Sequence, residues 1–92
     1  MKSIYKYTLP VKSVFQLQLP SGAKLLTVRS QYNTPQLWAL VDPEASLAIF
    51  SFRLVTTGEI ISYGDIIYNL DYLGTYELND GTFIGHLWGK EE

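Results

Sequence analysis

Chemistry in this chain has to come from a short list of side chains, and the list favours holding a ligand over making or breaking bonds. The only histidine, His86, alternates with Ile84 and Trp88 along an apolar run. Metal ligation and base catalysis both need partners beside the ring, so a lone imidazole in that setting reads as a satisfied core residue. The nearest acid pairings are Asp42 with Glu44, and Asp71 with Glu77 or Asp80. They fall at strand ends, turns and solvent positions, which do not suit paired acid–base work. The serines and threonines lack a nucleophile-elbow context, and no glycine-rich phosphate loop occurs. The absence of cysteine removes disulfides, thiolate metal sites and thiol nucleophiles together. These residues point away from an enzyme and require no cofactor or metal.

The arginines carry more. There are two, Arg29 and Arg53, each in the middle of a predicted strand. A strand arginine ordinarily lies at the solvent rim, its stem covering apolar surface. Its planar donors also suit a phosphate or carboxylate better than a lysine ammonium does. Beside them stand seven tyrosines and two tryptophans. A nucleotide would stack its base on a ring and pair its phosphate with a guanidinium. The expected ligand site therefore uses Arg29 and Arg53 for phosphate and Trp38, Tyr32 and Tyr5 for stacking. Thr56 and Thr57 would add donors at the end of the Arg53 strand. Aromatic residues on strands also build cores and interfaces. Trp38 is expected to have its ring largely inside, so that Trp38→Ala should damage folding more than binding.

Composition bounds the rest. Seven Lys and Arg against nine Asp and Glu give a net charge of −2, too little positive field to hold a DNA or RNA polymer. The 92 residues are 47% hydrophobic and 14% aromatic, which argues for one folded domain over 1–92 and against disorder. A chain this short hides only about 60–65% of its unfolded surface, so a homo-oligomer would help it. The start, Met1-Lys2-Ser3-Ile4-Tyr5-Lys6-Tyr7, lacks the apolar centre of a signal peptide, and no stretch reaches membrane-spanning length. A cytoplasmic location is expected.

The elements that must position these residues are strands. Alternation or dense β-type runs predict strands over 2–9, 14–19, 24–32, 36–42, 47–56, 71–78 and 82–88. Leu37-Trp38-Ala39-Leu40-Val41, stopped by Asp42-Pro43, reads as a central strand, and 47–56 as a second. Within 24–32, Leu26, Val28 and Ser30 are expected on one face and Leu25, Thr27 and Arg29 on the other. Asn33-Thr34-Pro35 should join a hairpin, with Pro35 outside the ladder, and Asn79-Asp80-Gly81 should form a three-residue hairpin loop. One helical turn fits Glu44-Ala45-Ser46. Residues 60–70 read as a loop dipping its isoleucines into the core or an interface, and Lys90-Glu91-Glu92 as a frayed tail. The sum is all-β: a small antiparallel sandwich or barrel of about seven strands with at most one short helical turn.

Several words of the sequence recur together in one order: Ile4-Tyr5-Lys6-Tyr7, Leu9-Pro10-Val11, Leu19-Pro20-Ser21-Gly22-Ala23, Leu37 to Pro43, Phe52 to Gly58, and Tyr72-Leu73-Gly74-Thr75 with Gly81 and His86. They resemble a family of short phage and prophage proteins of unknown function, over nearly the whole chain. Its members typically have glycine where Thr56 stands, and they look shorter between Gly58 and Tyr72, so Tyr63 to Asn69 reads as an insertion. The resemblance implies a protein made in the cytoplasm of an infected bacterial host. Combined with the arginines and rings, it leads to an expected function: a phage-encoded, non-catalytic, homo-oligomeric binding module for a small anionic ligand. An anti-defence sponge that sequesters a nucleotide immune signal is the concrete form. The alternative is a protein–protein interaction module, either a phage accessory or structural factor or a direct inhibitor of a host protein.

Overall fold

Leu37, Ala39 and Val41 are wholly out of water, as is Phe52, with Phe50 at 1%. In a strand, side chains two apart share a face. The two runs therefore each offer a continuous apolar row, and the fold is built by packing one row against the other. A computed structural model covering residues 1–92 shows seven strands: β1 Ser3–Thr8, β2 Val14–Pro20, β3 Lys24–Gln31, β4 Thr34–Val41, β5 Leu47–Thr56, β6 Asp71–Leu78 and β7 Phe83–Glu91. One 3-10 turn spans Ile66–Asn69, and no helix is long and apolar enough to cross a membrane.

The strands form two antiparallel sheets. Sheet A has the order β1-β4-β3 and sheet B the order β2-β5-β7-β6. The sandwich, expected as one of two all-β options, is the architecture found. β4 and β5 are both flanked on each side, as their dense apolar runs predict. The molecule measures 41 × 33 × 15 Å, the smallest dimension being that of two layers packed about 10 Å apart. Between them, Leu9, Val28 and the β4 row meet Phe15, Leu19, Phe50, Phe52, Leu54, Tyr76, Leu78 and Leu87 in one core. Phe15 and Phe52, opposite one another in register, stack at 5.0 Å and 8°. Burial pushes the Tyr76 hydroxyl up to about 12.

Several expectations are corrected here. The β3–β4 ladder shifts register between Leu25 and Thr27. A bulge inserts one unpaired residue and resets the alternation, so Leu25 and Val28 share the inner side while Leu26 joins Thr27 and Arg29 outside. Tyr32 and Asn33, at φ 54° and 58°, form a two-residue turn of the kind that suits a twisted hairpin. Pro35 accordingly lies inside β4, opposite Ser30. Its missing N–H faces the β1 side just beyond the last paired residue, Thr8, and its carbonyl accepts from Leu9 N at 3.0 Å.

The β6–β7 loop occupies residues 79–82, with Asn79 and Asp80 also at positive φ ahead of Gly81. Residues 43–46 form a turn closed by Ala45 N to Asp42 O at 3.0 Å, and the helical turn falls at 66–69 instead. Of the loop isoleucines only Ile67 is buried; Ile60 is 93% exposed. The tail is not frayed: Lys90 and Glu91 pair with Ser51 and Phe50, Glu92 N donates to Ile49 O at 2.9 Å, and Glu91 accepts from Gly22 N at 2.9 Å.

β7 gives a direct test of the packing. A Cβ on Gly89 would lie 2.5 Å from Phe52 Cδ1 and 3.0 Å from Leu73 Cδ1. Gly89→Ala should lower unfolding stability by about 1–3 kcal/mol through overpacking. Gly64→Ala, where the added carbon meets nothing within 4 Å, should leave the urea midpoint nearly unchanged.

Candidate functional site

Arg53 alternates to the outer side of β5, opposite Val14 and Trp88. It is neither a rim charge nor a free fork, because a strap of chain over residues 57–70 brings two acids onto it. Its Nε donates to both Asp65 carboxylate oxygens at 3.1 Å, and Nη2 donates to Asp65 Oδ2 at 2.9 Å and Glu59 Oε2 at 3.1 Å. Nη1 donates to the Leu54 carbonyl at 2.7 Å. With its side chain 8% exposed and each nitrogen bonded, Arg53 has no face left for a phosphate. Asp65 also accepts from Ile67 N at 2.9 Å, capping the 3-10 turn. Glu59 Oε1 takes Thr56 N at 3.1 Å and Thr56 Oγ1 at 3.3 Å, so Thr56 is occupied as well.

These bonds set the acids' titration. Hydrogen bonds from Arg53, and next from the Ile67 amide, hold Asp65 below its ordinary value. The Thr56 amide first and Arg53 second do the same for Glu59. Beneath the strap, Val55 on the outer side of β5 is 5% exposed and Ile67 7%, and neither belongs to the main core.

Thr57 and His86 meet farther along the same outer side. Thr57 Oγ1 lies 2.7 Å from His86 Nε2, and Thr75 Oγ1 lies 3.0 Å from His86 Nδ1. Tyr72 Oη completes the chain at 2.5 Å from Thr75 Oγ1. His86 is thus part of a polar row on the sheet surface and not the core residue expected. The carboxylates considered for acid–base chemistry are dispersed: Asp42 holds the Glu44 amide at 3.1 Å, while Asp71 and Glu77 lie on β6 and Asp80 in its turn.

Tyr32 stands 91% exposed at the β3–β4 tip. The neighbouring Asn33 clasps Asn79 of the other hairpin, through Nδ2 to Asn79 Oδ1 at 3.0 Å and Oδ1 from Asn79 N at 2.7 Å. Tyr5 is opposite Ala39 and so belongs to the inner side of sheet A, 6.4 Å from Tyr7.

Only Trp38 and Arg29 come together. Trp38 is opposite Lys6 on β1 and Thr27 on β3, which puts it on the outer side of sheet A, partly exposed. Its expected place inside is taken by Leu37 and Ala39, because adjacent strand residues point to opposite faces. Leu9 N bonding Pro35 O fixes the ladder's phase. Lys6 and Trp38 then form a non-hydrogen-bonded pair, with Cα atoms about 4.5 Å apart. Arg29, opposite Gln36, is diagonal to Trp38, at about 7–8 Å, within reach of long side chains.

Lys24 and Arg29 share that side with Lys6, and no strand of sheet A contains an acid. An open depression of about 550 Å³ lies here, lined by Trp38, Arg29, Ile4, Leu26, Thr27 and Gln31 among others. Lys6 Nζ donates to Gln31 Oε1 at 2.7 Å. A depression of about 600 Å³ at the hairpin tips is lined by Glu77 and Asp80, whose charge repels an anion.

Sequence reasoning missed the partners of Arg53 and His86. Asp65 follows Arg53 at a distance only a turn at Gly58 can close, and Thr75 opposes His86 only once the 79–82 loop length is known. The strap makes a measurable prediction. Both acids titrate lower folded than free, so their contribution is full above about pH 5 and is lost as pH falls through the folded values. Asp65→Asn should flatten the acid limb of the stability curve. Arg53→Met should release the strap, seen as faster chymotrypsin cleavage after Tyr63 or Tyr68 with the sheets intact.

A family sequence model described as "Domain of unknown function (DUF7352)" matches residues 1–92. No curated protein and no solved structure matches the chain. With the family model spanning both sheets, the strap and the Trp38 face, the chain belongs to the DUF7352 family of domains of unknown function.

Proposed function

We propose that the outer side of sheet A is a non-catalytic binding face for a small anionic ligand with a planar ring, a nucleotide being the best fit. One observation carries this reading: Trp38, Arg29, Lys6 and Lys24 share a side of a sheet whose strands hold no carboxylate. An indole beside a guanidinium offers a stacking platform and a phosphate fork together. Lys6 and Lys24 add long-range attraction. Arg53, Thr56, Tyr5 and Tyr32 drop out of the proposed site on their geometry.

The depression is open, and β1 leaves one edge of sheet A unpaired. A homo-oligomer that covers the ligand between subunits follows from both features. Taken with the resemblance to phage proteins, the role is withdrawal of a nucleotide signal inside an infected host, with the ligand released unchanged. The second reading, a module that binds a host protein, draws on the same β1 edge and on exposed Ile4 and Leu26.

Thermal-shift screening of cyclic dinucleotides and ADP-ribose-type compounds tests the first reading. A binder should raise the melting temperature, and Arg29→Ala or Trp38→Ala should remove the shift while the free proteins still melt cooperatively. A flat panel with well-folded protein, alongside a stoichiometric protein captured from host lysate, would decide for the second.

A further inference from the structure

The row Thr57–His86–Thr75–Tyr72 on sheet B is separate from the Trp38 face and serves no part of the reading above. Its atoms have the order of an activated hydroxyl: a nucleophile on one ring nitrogen and an orienting group on the other. Proton directions along it are self-consistent. Of the two tautomers this row permits, the one with the proton on Nδ1 has that N–H donate to Thr75 Oγ1, Thr75 donate to Tyr72 Oη, and Tyr72 donate to solvent. That leaves the Nε2 lone pair to accept from Thr57 Oγ1 at 2.7 Å.

Thr57 is exposed, in a turn closed by Glu59 N to Thr56 O at 3.1 Å, and the Thr57 and Gly58 amides donate to no protein acceptor. Free amides beside a nucleophile can receive a developing oxyanion. Neither of the depressions at the hairpin tips and beside Trp38 is lined by Thr57, Thr75 or His86. The site therefore suits a reactive donor arriving from solution and lacks a pocket to select an unreactive one.

We propose that Thr57 is a single-turnover acyl acceptor for activated esters, with His86 as its base. Thr57 Oγ bonds to the donor's carbonyl carbon, the bond to the leaving oxygen breaks, and the Thr57 proton passes through His86 Nε2 to that oxygen. The products are an ester on Thr57 and a free alcohol or phenol, with no redox change. Thr75 acts as a positioning residue that keeps the Nδ1 proton in place.

p-Nitrophenyl acetate is the probe, with nitrophenolate release followed by absorbance and the modified residue located by peptide mass spectrometry. The expected result is acetate on Thr57, in excess over the exposed Thr27, which has no imidazole. Thr57→Ser should retain the label and Thr57→Val should lose it. His86→Gln, which can still hydrogen-bond but cannot take the proton, should slow Thr57 labelling at least tenfold, the low end for a general base being about a hundredfold. Circular dichroism of each variant checks the fold. Equal labelling of Thr57 and Thr27, or labelling of Thr57 unchanged by His86→Gln in a folded protein, overturns the proposal. Nucleotide binding at Trp38 is read separately and is unaffected by either outcome.

Discussion

Burial of the inner rows of β4 and β5 is the constraint on which everything else in this molecule rests. Leu37, Ala39 and Val41 on one side and Phe50, Phe52 and Leu54 on the other cannot be hidden by either sheet alone. Two large rings cross the core, and β7 makes room for them with glycine. A Cβ at Gly85 would meet Tyr76 Cζ at 2.8 Å, and one at Gly89 would meet Phe52. A residue smaller than alanine is the only way to lay a ring flat over a strand at that distance.

Once those rows face each other, every neighbouring residue in β4 and β5 is forced outward, and the two outer sides have been resolved in opposite ways. On sheet B the strap over 57–70 covers Arg53 and Val55, with Arg53 tied to Asp65 and Glu59. Burying an arginine is tolerable only because its donors are satisfied by carboxylates and a carbonyl. Sheet A has no such cover. Trp38 and the cations Lys6, Lys24 and Arg29 remain open to solvent, and the exposed Ile4 and Leu26 lie among them. The contrast leaves the Trp38 side of sheet A open where the Arg53 region of sheet B is covered.

The sandwich is also closed unevenly. β3 and β6 run side by side where the two sheets meet, close enough that a Cβ on Gly74, at φ 154°, would lie 3.1 Å from Val28 Cγ1. The Asn33–Asn79 clasp ties the two hairpins at their tips. β1 and β2 each keep one unpaired edge at the opposite end, so the clasped tips lie far from β1 and the free edge of β1 adjoins the Trp38 side of sheet A.

The residues by themselves determined the class of fold, the approximate strands and the two central ones. Period-two alternation, Asp42-Pro43 and the Gly-containing turns act locally and are written in adjacent residues. They also determined that Ile84, His86 and Trp88 share one side of β7, since that strand contains no bulge. What the tertiary structure decided was whatever depends on partners distant in the chain. The bulge at Leu25/Thr27 moved Leu25 inward, packing turned Trp38 outward, and Asp65, twelve residues on, removed Arg53 from any ligand site. Local pattern can say that a side chain alternates. Only the arrangement of both sheets can say which of the two alternating faces is buried, and which charges find each other across it.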